Sequence, residues 1–346
     1  MYKKFKKSTY PCFILAGDVG GTNTNLGLFG IKKDLPHLLI SLHFKSNELK
    51  GIHEAINETL NFVKKEYSIN ITKACFAVAG VLSQDGDAAE VTNAKLDIDK
   101  KALLRKTKLK RVILLNDFEA MGHGIGILRK NDIAIIKEAK KIPKAPIAVI
   151  GAGTGLGKTT LIYNENNNSY VPLSSEAGHT DYPAQNQQEL ELINFIKKHK
   201  RIKRSVPYEQ ILSGQGLENI YLFLREAKDT PTKYTKEIDG SKDKAGLISK
   251  YRKIDATCKA TFEIFRLAYA KFAKNFALDS MALGGVYIAG GIAPKNMDIF
   301  NKKFTESFED NYMLGGVLRK IPIYLILNYN AGLLGAGLIG AKLLKG

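Results

Sequence analysis

Residues Arg111–Ala120, RVILLNDFEA, join an apolar run to two polar side chains. The run Val112–Leu115 predicts a buried strand that ends at Asn116 and Asp117. In open α/β sheets, ligands bind beyond the carboxyl ends of the strands. An amide and a carboxylate at that edge are therefore candidates for a reaction centre. Taken alone, the stretch is more typical of a turn at Asn116 and an N-cap at Asp117 for a helix over Phe118–Leu128.

The segments before this strand predict the remainder of an α/β domain. Apolar runs predict strands, and apolar side chains at three- and four-residue spacing predict a helix. The predicted strands are Phe13–Gly17, Leu26–Phe29, His37–Phe44 and Cys75–Ala79, and the predicted helices are Leu49–Val63 and Asp99–Leu109. Three strands, a helix, a strand, a helix and a strand form the order of a ribonuclease-H-like domain, which ends near residue 127.

A glycine-rich turn, GDVGGTNTN (Gly17–Asn25), joins the first two predicted strands. Paired glycines let backbone N–H groups approach an anion, and Thr22, Asn23 and Thr24 add side-chain donors. Asp18 at the strand end could hold Mg²⁺ through water. A plain glycine-rich hairpin fits the same residues equally well.

Another apolar strand, Pro146–Ile150, runs into the segment GAGTGLGKTTLIYN. Its part AGTGLGKT (Ala152–Thr159) fits a loose phosphate-loop pattern, which requires a helix directly after the lysine. The residues Thr159–Tyr163 are β-branched and alternate, so we predict a strand there and an incidental Lys158. The result is a second glycine hairpin that echoes the first. One such hairpin from each lobe could hold a polyphosphate.

The remaining segments carry further polar side chains next to glycine. SSEAGHTDY (Ser174–Tyr182) places Glu176 three residues before His179, although a lone histidine is more often a packing or capping residue. Glu209 precedes another glycine turn. The charged residues 225–255 predict loops and a surface helix, and the aromatic stripe of 262–276 predicts a core helix. The segment GGVYIAGGIAPKN (284–296) predicts a strand followed by a glycine turn. Residues 321–327 are the last predicted strand, and residues 330–344 are predicted to form a helix that packs closely on a neighbour.

The composition is that of a globular protein. The chain has 346 residues, 45% of them hydrophobic and 25% charged, and this length suggests two domains. The three cysteines are far apart, as in a reducing cytosol. The basic N-terminus resembles a signal peptide, but its apolar run, Cys12–Ala16, is far too short for one, and no apolar run reaches membrane length. The net charge of +18 raises the question of nucleic acid, but the lysines are dispersed and no DNA-reading motif occurs. We therefore expect a cytoplasmic protein without nucleic-acid or membrane partners.

Seven segments follow one another between residues 12 and 340: GDVGGTNTNLGL, LLNDFEA, GAGTGLG, SSEAGHTDY, EQILSGQGLENIY, GGVYIAGGI and NAGLLGAG. Together they resemble the bacterial glucokinase family, of the hexokinase and actin-like kinase superfamily. The resemblance implies two ribonuclease-H-like (actin/hexokinase-like) α/β lobes with a cleft between them. We place a small α/β domain at residues 1–127 plus 331–346 and a large α/β domain at 128–330.

The resemblance implies an ATP-dependent kinase that phosphorylates the 6-hydroxyl of glucose, with Mg²⁺ as cofactor. Asp117 would be the general base, and Asp18 would lie near Mg²⁺. The implied glucose ligands are Asn93, Asn116, Asp117, Glu176, His179 and Glu209. The implied nucleotide-binding residues are Asp18, Gly20, Gly21, Thr22 and Asn23 at the first turn, Gly153, Thr154 and Gly155 at the second, and Gly290 and Gly291 beside the adenosine. Dimers are common among such kinases, so a homodimer is possible.

Three alternatives remain open. The first is a related hexose kinase with a different sugar or phosphoryl donor. The second is a sugar-sensing repressor of the repressor/kinase family, but TDYPAQNQQE stands where those proteins tend to carry a cysteine-rich zinc motif, and no helix-turn-helix precedes the first predicted strand. The third is a phosphate-loop NTPase, which would require a helix over Thr159–Asn168.

Overall fold

The computed structural model describes residues 4–91, 96–228 and 231–343. The chain divides into two compact units. Unit 1 comprises Met1–Asp132, Asn164–Ser174 and Asn328–Gly346, and unit 2 comprises Ile133–Tyr163 and Ser175–Leu327. Each unit has its own sheet and its own hydrophobic core.

Strands and helices alternate along much of the chain. The strands are β1 (Cys12–Val19), β2 (Asn23–Lys32), β3 (Leu35–Lys45), β4 (Lys73–Val78), β5 (Gly80–Leu82), β6 (Ala88–Val91), β7 (Asp97–Asp99), β8 (Arg111–Asn116), β9 (Ile133–Lys137), β10 (Ile147–Ala152), β11 (Leu156–Asn164), β12 (Ser169–Ser175), β13 (Val286–Ala289) and β14 (Ile323–Ile326). The helices are α1 (Ile52–Tyr67), α2 (Lys100–Lys106), α3 (Asp117–Ile125), α4 (Gln187–Lys200), α5 (Gly214–Lys228), α6 (Thr235–Gly240), α7 (Lys244–Tyr251), α8 (Ala256–Asp279), α9 (Lys302–Glu309), α10 (Gly315–Leu318) and α11 (Ala331–Leu343). No helix within the described residues is long and apolar enough to cross a membrane.

The main sheet of unit 1 has the strand order β3-β2-β1-β4-β8. β1 pairs antiparallel with β2 and parallel with β4, and β4 pairs parallel with β8. Because β1, β4 and β8 are parallel, their carboxyl ends meet at one edge of the sheet, which carries Asp18 and Asn116. Along the chain, these five strands and the helices α1 and α2 follow the predicted ribonuclease-H-like order, and the α/β fold class is confirmed.

The sheet strands of unit 2 repeat the pairing pattern of unit 1, in which one strand pairs antiparallel on one side and parallel on the other. Five strands lie there in the order β11-β10-β13-β14-β9. β10 pairs antiparallel with β11 and parallel with β13, which in turn pairs parallel with β14. The predicted echo between the two glycine hairpins therefore has a structural basis. β9, and the small three-stranded sheet β5-β6-β7 of unit 1, were not predicted, because strands of three to five residues leave too short a pattern.

The long helix α8 forms the centre of the core of unit 2. Its predicted aromatic stripe is confirmed as core, since Phe265, Tyr269 and Phe272 are fully buried. Over residues 225–255 the expectation of loops is confirmed, but two short helices are present where a single surface helix was expected. This segment contains α6 and α7, which bury Ile238 and Ile248, but both helices are too short to show a clear helical period in the sequence.

The glycine-rich helix α11 packs closely on α3 within unit 1. A Cβ at Gly335 would overlap the carbonyl oxygen of Ala120, and a Cβ at Gly124 would overlap that of Ala331. Glycine at these positions lets the two backbones touch. The predicted close packing of the C-terminal helix is therefore confirmed.

Candidate active site

The end of β8 and the start of α3 are joined by the side chain of Asn116. Its Oδ1 accepts hydrogen bonds from the backbone nitrogens of Phe118 (2.9 Å) and Glu119 (3.2 Å). Asn116 is thus the N-cap, and Asp117 is the first residue of the helix. The alternative in which Asp117 is the cap of a helix reaching Leu128 is wrong, because Asn116 already occupies that position and α3 ends at Ile125.

Capping uses part of the hydrogen-bonding capacity of Asn116. Its Nδ2 donates a further hydrogen bond of 3.3 Å to the carbonyl oxygen of Gly80. An amide nitrogen carries two hydrogens, so one N–H of Asn116 is left for a ligand. Asp117 accepts a hydrogen bond of 2.9 Å from the nitrogen of Phe118 through Oδ1, which fixes the carboxylate at the positive end of α3.

The first glycine turn is braced by Ser46, a residue that the sequence did not reveal. The nitrogen of Gly20 donates to the carbonyl oxygen of Asn23 at 2.9 Å, which closes the turn. The buried hydroxyl of Ser46 donates to the carbonyl oxygen of Gly20 at 2.6 Å, and the nitrogen of Ser46 donates to that of Thr22 at 3.0 Å. The only sequence signal is that Ser46 follows β3, whose last residue, Lys45, pairs with Asn23.

Asp18 stands next to this turn in β1, opposite Asn25 of β2. Desolvation raises the pKa of its carboxyl group from 3.8 to about 6. Gly332 at the start of α11 is close, since a Cβ there would lie 3.4 Å from Oδ2 of Asp18. A carboxylate without an ion-pair partner in the described part of the chain suits a hydrated Mg²⁺. Those residues contain no group of three His, Cys, Asp or Glu side chains that could bind a metal directly.

The second glycine turn lies between β10 and β11 in unit 2. Its ends pair Ala152 with Leu156, and the nitrogen of Gly153 donates to the carbonyl oxygen of Gly155 at 2.8 Å. A strand follows, with Lys158 paired to Ile150, where a phosphate loop requires a helix. The phosphate-loop alternative is therefore wrong.

The side chain of Lys158 has a structural role instead. Its Nζ lies 3.1 Å from Oδ2 of Asp279 and 4.7 Å from the centre of the Phe276 ring. The prediction that this lysine is incidental to phosphate binding agrees with these contacts.

The predicted adenosine turn lies beside the second glycine turn. Gly290 directly follows β13 with φ +87°, a backbone conformation that glycine adopts without strain. A Cβ at Gly290 would overlap the carbonyl oxygen of Ala152, and a Cβ at Gly153 would lie 3.9 Å from the nitrogen of Gly291. The backbones of the two turns are thus in close contact within unit 2.

The predicted sugar ligands His179 and Glu209 lie in two short 3-10 turns, Ala177–His179 and Tyr208–Gln210, and the third, Glu176, directly precedes the first turn. The backbone nitrogen of Tyr208 joins the two turns by donating to the carbonyl oxygen of Thr180 at 2.9 Å. Glu176 and His179 are both exposed, with Oε2 and Nε2 3.9 Å apart. The carboxylate of Glu209 accepts a hydrogen bond of 2.8 Å from the nitrogen of Leu156. The carboxylates of Glu176 and Glu209 and the imidazole of His179 thus lie next to the second glycine turn.

The predicted site residues fall into two groups. Unit 1 brings Asp18, Gly20, Gly21, Thr22, Asn23, Asn116 and Asp117 to one edge of its sheet. Unit 2 holds Gly153, Thr154, Gly155, Glu176, His179, Glu209, Gly290 and Gly291. Asn93 lies outside the described residues.

Comparison with known proteins identifies the family. The glucokinase family model matches residues 15–343. This chain belongs to the glucokinase family. The glucokinase of Nostoc sp. is 34% identical over 346 residues, which cover 95% of this chain and 99% of that protein. The glucokinase of Synechocystis sp. is 30% identical over 355 residues, with 95% and 98% coverage. The predicted family and kinase class are confirmed.

Solved glucokinase structures have the same fold. The glucokinase of an Antarctic psychrotroph is 25% identical, with a TM-score of 0.76 over 95% of this chain and 99% of that chain. The glucokinase of Balamuthia mandrillaris, solved in complex with glucose, is 21% identical, with a TM-score of 0.81 over 95% and 93%. The actin-like two-sheet architecture is thus shared across distant members.

Asn275 supports the turn that carries Glu209, and nothing in the sequence indicated this role. Asn275 on α8 donates a hydrogen bond of 2.8 Å from Nδ2 to the hydroxyl of Tyr208. Tyr208 is buried against Tyr182 and Phe272, with ring centroids 5.1 and 5.0 Å away. Asn275 is 67 positions from Tyr208, so no local pattern connects the two.

Proposed function

We propose that this chain transfers the γ-phosphoryl group of ATP to the 6-hydroxyl of glucose, giving glucose 6-phosphate and ADP, the first step of glycolysis. The observation that carries the proposal is the place of Asp117, a carboxylate at the first residue of α3 directly beyond the carboxyl end of β8. Family membership supports the same reaction. A positioned carboxylate is a suitable acceptor for a hydroxyl proton during phosphoryl transfer.

In the proposed reaction, Asp117 accepts the proton of the 6-hydroxyl while the sugar oxygen attacks the γ-phosphorus. A bond forms between that oxygen and the phosphorus, and the bond to the bridging oxygen of ADP breaks. Positioning and charge neutralisation supply most of the catalysis in such transfers. The contact between Oδ1 of Asp117 and the nitrogen of Phe118 holds the carboxylate in one orientation.

The proposed glucose ligands match the polar character of a hexose. The remaining N–H of Asn116 would donate to a sugar hydroxyl, because its Oδ1 already accepts two backbone hydrogen bonds. Glu176, His179 and Glu209 would bind further hydroxyls, and Asn93 is proposed from the motif alone. A site that bonds each hydroxyl rejects analogues by about 10⁴–10⁵-fold, because unmatched buried polar groups are costly.

The glycine turns are proposed to bind ATP. Gly20, Gly21, Thr22 and Asn23 at one turn, and Gly153, Thr154 and Gly155 at the other, would bind phosphates, and Gly290 with Gly291 would flank the adenosine. Asp18 would hold Mg²⁺ through water, and the ion would neutralise charge on the phosphates. Residues 1–127 with 331–346, and residues 128–330, are proposed as the small and large domains. A cytoplasmic location is proposed as well, and a homodimer stays a prediction.

The test is the release of ADP from ATP and Mg²⁺ with glucose, mannose, fructose, N-acetylglucosamine or no sugar. We expect release that depends on glucose, matched by equal formation of glucose 6-phosphate. Release with another hexose alone would assign the chain to a related hexose kinase. Release without sugar, or no release with any of the sugars, would overturn the proposal.

A further inference from the structure

The hydroxyl of Tyr269 lies between the ends of two neighbouring strands of unit 2. Tyr269 is on α8 and is fully buried. Its hydroxyl accepts a hydrogen bond of 3.2 Å from the nitrogen of Ala152 and donates one of 3.4 Å to the carbonyl oxygen of Ala289. Ala152 is the last residue of β10, and Ala289 is the last residue of β13.

This hydroxyl replaces the next backbone hydrogen bond between the parallel strands β10 and β13. The last paired residues of the two strands are Gly151 and Ala289. Beyond them a tyrosine hydroxyl, which is both donor and acceptor, satisfies one backbone group of each strand. Both groups are therefore paired although the ladder ends here, and beyond it the nitrogen of Ile292 donates to the carbonyl oxygen of Ala152 at 3.3 Å. β10 continues into the second glycine turn, and β13 continues into Gly290.

We propose that Tyr269 is a positioning residue for the nucleotide, because its hydroxyl sets the spacing between the proposed phosphate turn, Gly153–Gly155, and the proposed adenosine turn, Gly290–Gly291. The inference rests on the proposed function, since it takes ATP as the ligand of these turns. A phosphate and an adenosine belong to one molecule. The two turns must therefore keep a fixed separation to bind both parts at once.

The ring and the hydroxyl of Tyr269 have separable roles. The ring packs edge to face against Phe265, Phe300 and Phe304, with centroids 5.9, 5.3 and 6.4 Å away. Tyr269→Phe keeps this packing and removes only the bridge. Ala152 and Ala289 are both fully buried, so their freed backbone groups have no solvent partner and must find a new one by moving. The spacing of the turns then changes while the core stays filled.

Tyr221→Phe is a matched control. Tyr221 is also buried in unit 2, but its hydroxyl makes no hydrogen bond to the backbone of either glycine turn. Both variants remove one buried hydroxyl and keep the ring. Tyr221→Phe therefore controls for the loss of a buried hydroxyl that holds no backbone group of the turns.

The experiment measures the Kd of ADP and of glucose by calorimetry, together with the KM of ATP and of glucose. We expect Tyr269→Phe to raise the Kd of ADP and the KM of ATP by about tenfold, as loss of one backbone-positioning contact would, and to leave both glucose constants within about twofold. Tyr221→Phe should leave all four constants within about twofold. Equal ADP affinity in the two variants, or equal losses for ADP and glucose, would overturn the proposal.

Hydrogen exchange on the unmodified chain gives an independent readout. Bound ADP should slow exchange at the amide of Ala152, which donates to Tyr269, and at that of Ile292, which donates to Ala152, whereas glucose should not. Exchange that slows at one of these amides alone would contradict the proposal that the two turns keep a fixed separation. If the chain binds ADP as expected but makes no glucose 6-phosphate, the proposed reaction fails and the role of Tyr269 stands. Absence of ADP binding would overturn both.

Discussion

The carboxylate of Glu209 is bonded to the backbone nitrogen of Leu156, at 2.8 Å. Leu156 directly follows the second glycine turn, so a proposed sugar ligand is tied to a proposed phosphate turn inside unit 2. The contact depends on two glycines. A Cβ at Gly155 would lie 2.7 Å from Oε2 of Glu209, and a Cβ at Gly178 would overlap the carbonyl oxygen of Leu156. A substitution that breaks the Glu209–Leu156 contact itself is therefore expected to weaken sugar and nucleotide binding together.

Gly155→Ala should weaken the binding of both substrates. The added methyl group displaces the Glu209 carboxylate from Leu156, and a hydrogen bond to a charged group contributes about 1.5–3 kcal/mol. We expect KM for glucose and for ATP each to rise by at least about tenfold. Gly240→Ala is the control, since nothing lies within 4 Å of a Cβ there. A rise in the KM of ATP alone would contradict the coupling.

Asp117→Asn should abolish turnover while glucose still binds. The amide keeps the shape and an oxygen acceptor for the nitrogen of Phe118 but cannot take the hydroxyl proton. A positioned base contributes about 10²–10⁴-fold, so kcat should fall at least about 100-fold, with the Kd of glucose within about threefold. Initial rates and calorimetry measure the two quantities.

Glu119→Gln is the matched control for Asp117, since it removes a carboxylate from the same first turn of α3. Its kcat should stay within about threefold of the original rate. If Asp117→Asn kept more than about a hundredth of that rate, the assignment of the base would be wrong.

Lys158→Ala should have little effect on catalysis. Its Nζ pairs with Asp279, whose side chain is 61% exposed, so the substitution leaves no buried unpaired carboxylate. We expect kcat and the KM of ATP within about threefold and a loss of about 1 kcal/mol in unfolding free energy. Asp279→Asn, which removes the same ion pair but keeps the lysine, should also retain activity. A loss in rate of 100-fold for Lys158→Ala alone would restore a phosphate-binding lysine, since about 2.7 kcal/mol of transition-state binding would be gone.

The glycine hairpins and the β8–α3 stretch were predictable because each is a local pattern. Apolar runs mark strands, and glycine marks the turns between them. The choice between Asn116 and Asp117 as helix cap was not predictable, since both residue types are good caps. It is decided by the sheet, where Asn116 pairs with Val78 at the end of β8.

The contacts that shape the turns were not predictable from the sequence. Ser46 acts on Gly20 from 26 positions away, and Tyr269 acts on Ala152 from 117 positions away. Such pairs are brought together by strand register and by packing of α8 on the sheet, which leave no signal in residue spacing. The seven motifs located the candidate site residues, but the residues that support them come from the fold alone.

Asp18→Asn should make the chain more stable and less active. Desolvation raises the pKa of Asp18 to about 6, so at neutral pH its ionised form carries an uncompensated cost. Removing the charge should raise the unfolding free energy at pH 7.5 by about 1–2 kcal/mol. Loss of the water-mediated contact to Mg²⁺ should lower kcat about 10–100-fold. Urea titration and rates at several Mg²⁺ concentrations measure both effects; unchanged Mg²⁺ dependence would exclude Asp18 from the metal site.

His123 should make the stability of the fold depend on pH. Desolvation, and then the positive charge of Lys342, lower the pKa of this α3 histidine from 6.5 to about 4. A depressed folded-state pKa means that the unfolded chain binds the proton more readily, so stability is full above pH 6.5 and is lost as pH falls towards 4.

The measurement for His123 is urea unfolding of the original chain and of His123→Gln at pH 7.5, 6.0 and 5.0. The original chain should lose about 1–2 kcal/mol more than the variant between the first and last of these, because its unfolded state takes up a proton at residue 123 while the folded imidazole stays neutral. The difference between the two proteins at pH 7.5, where the imidazole is neutral in both states, isolates the packing effect of the substitution. Parallel curves over the whole pH range would show that His123 does not titrate between the folded and unfolded states as proposed.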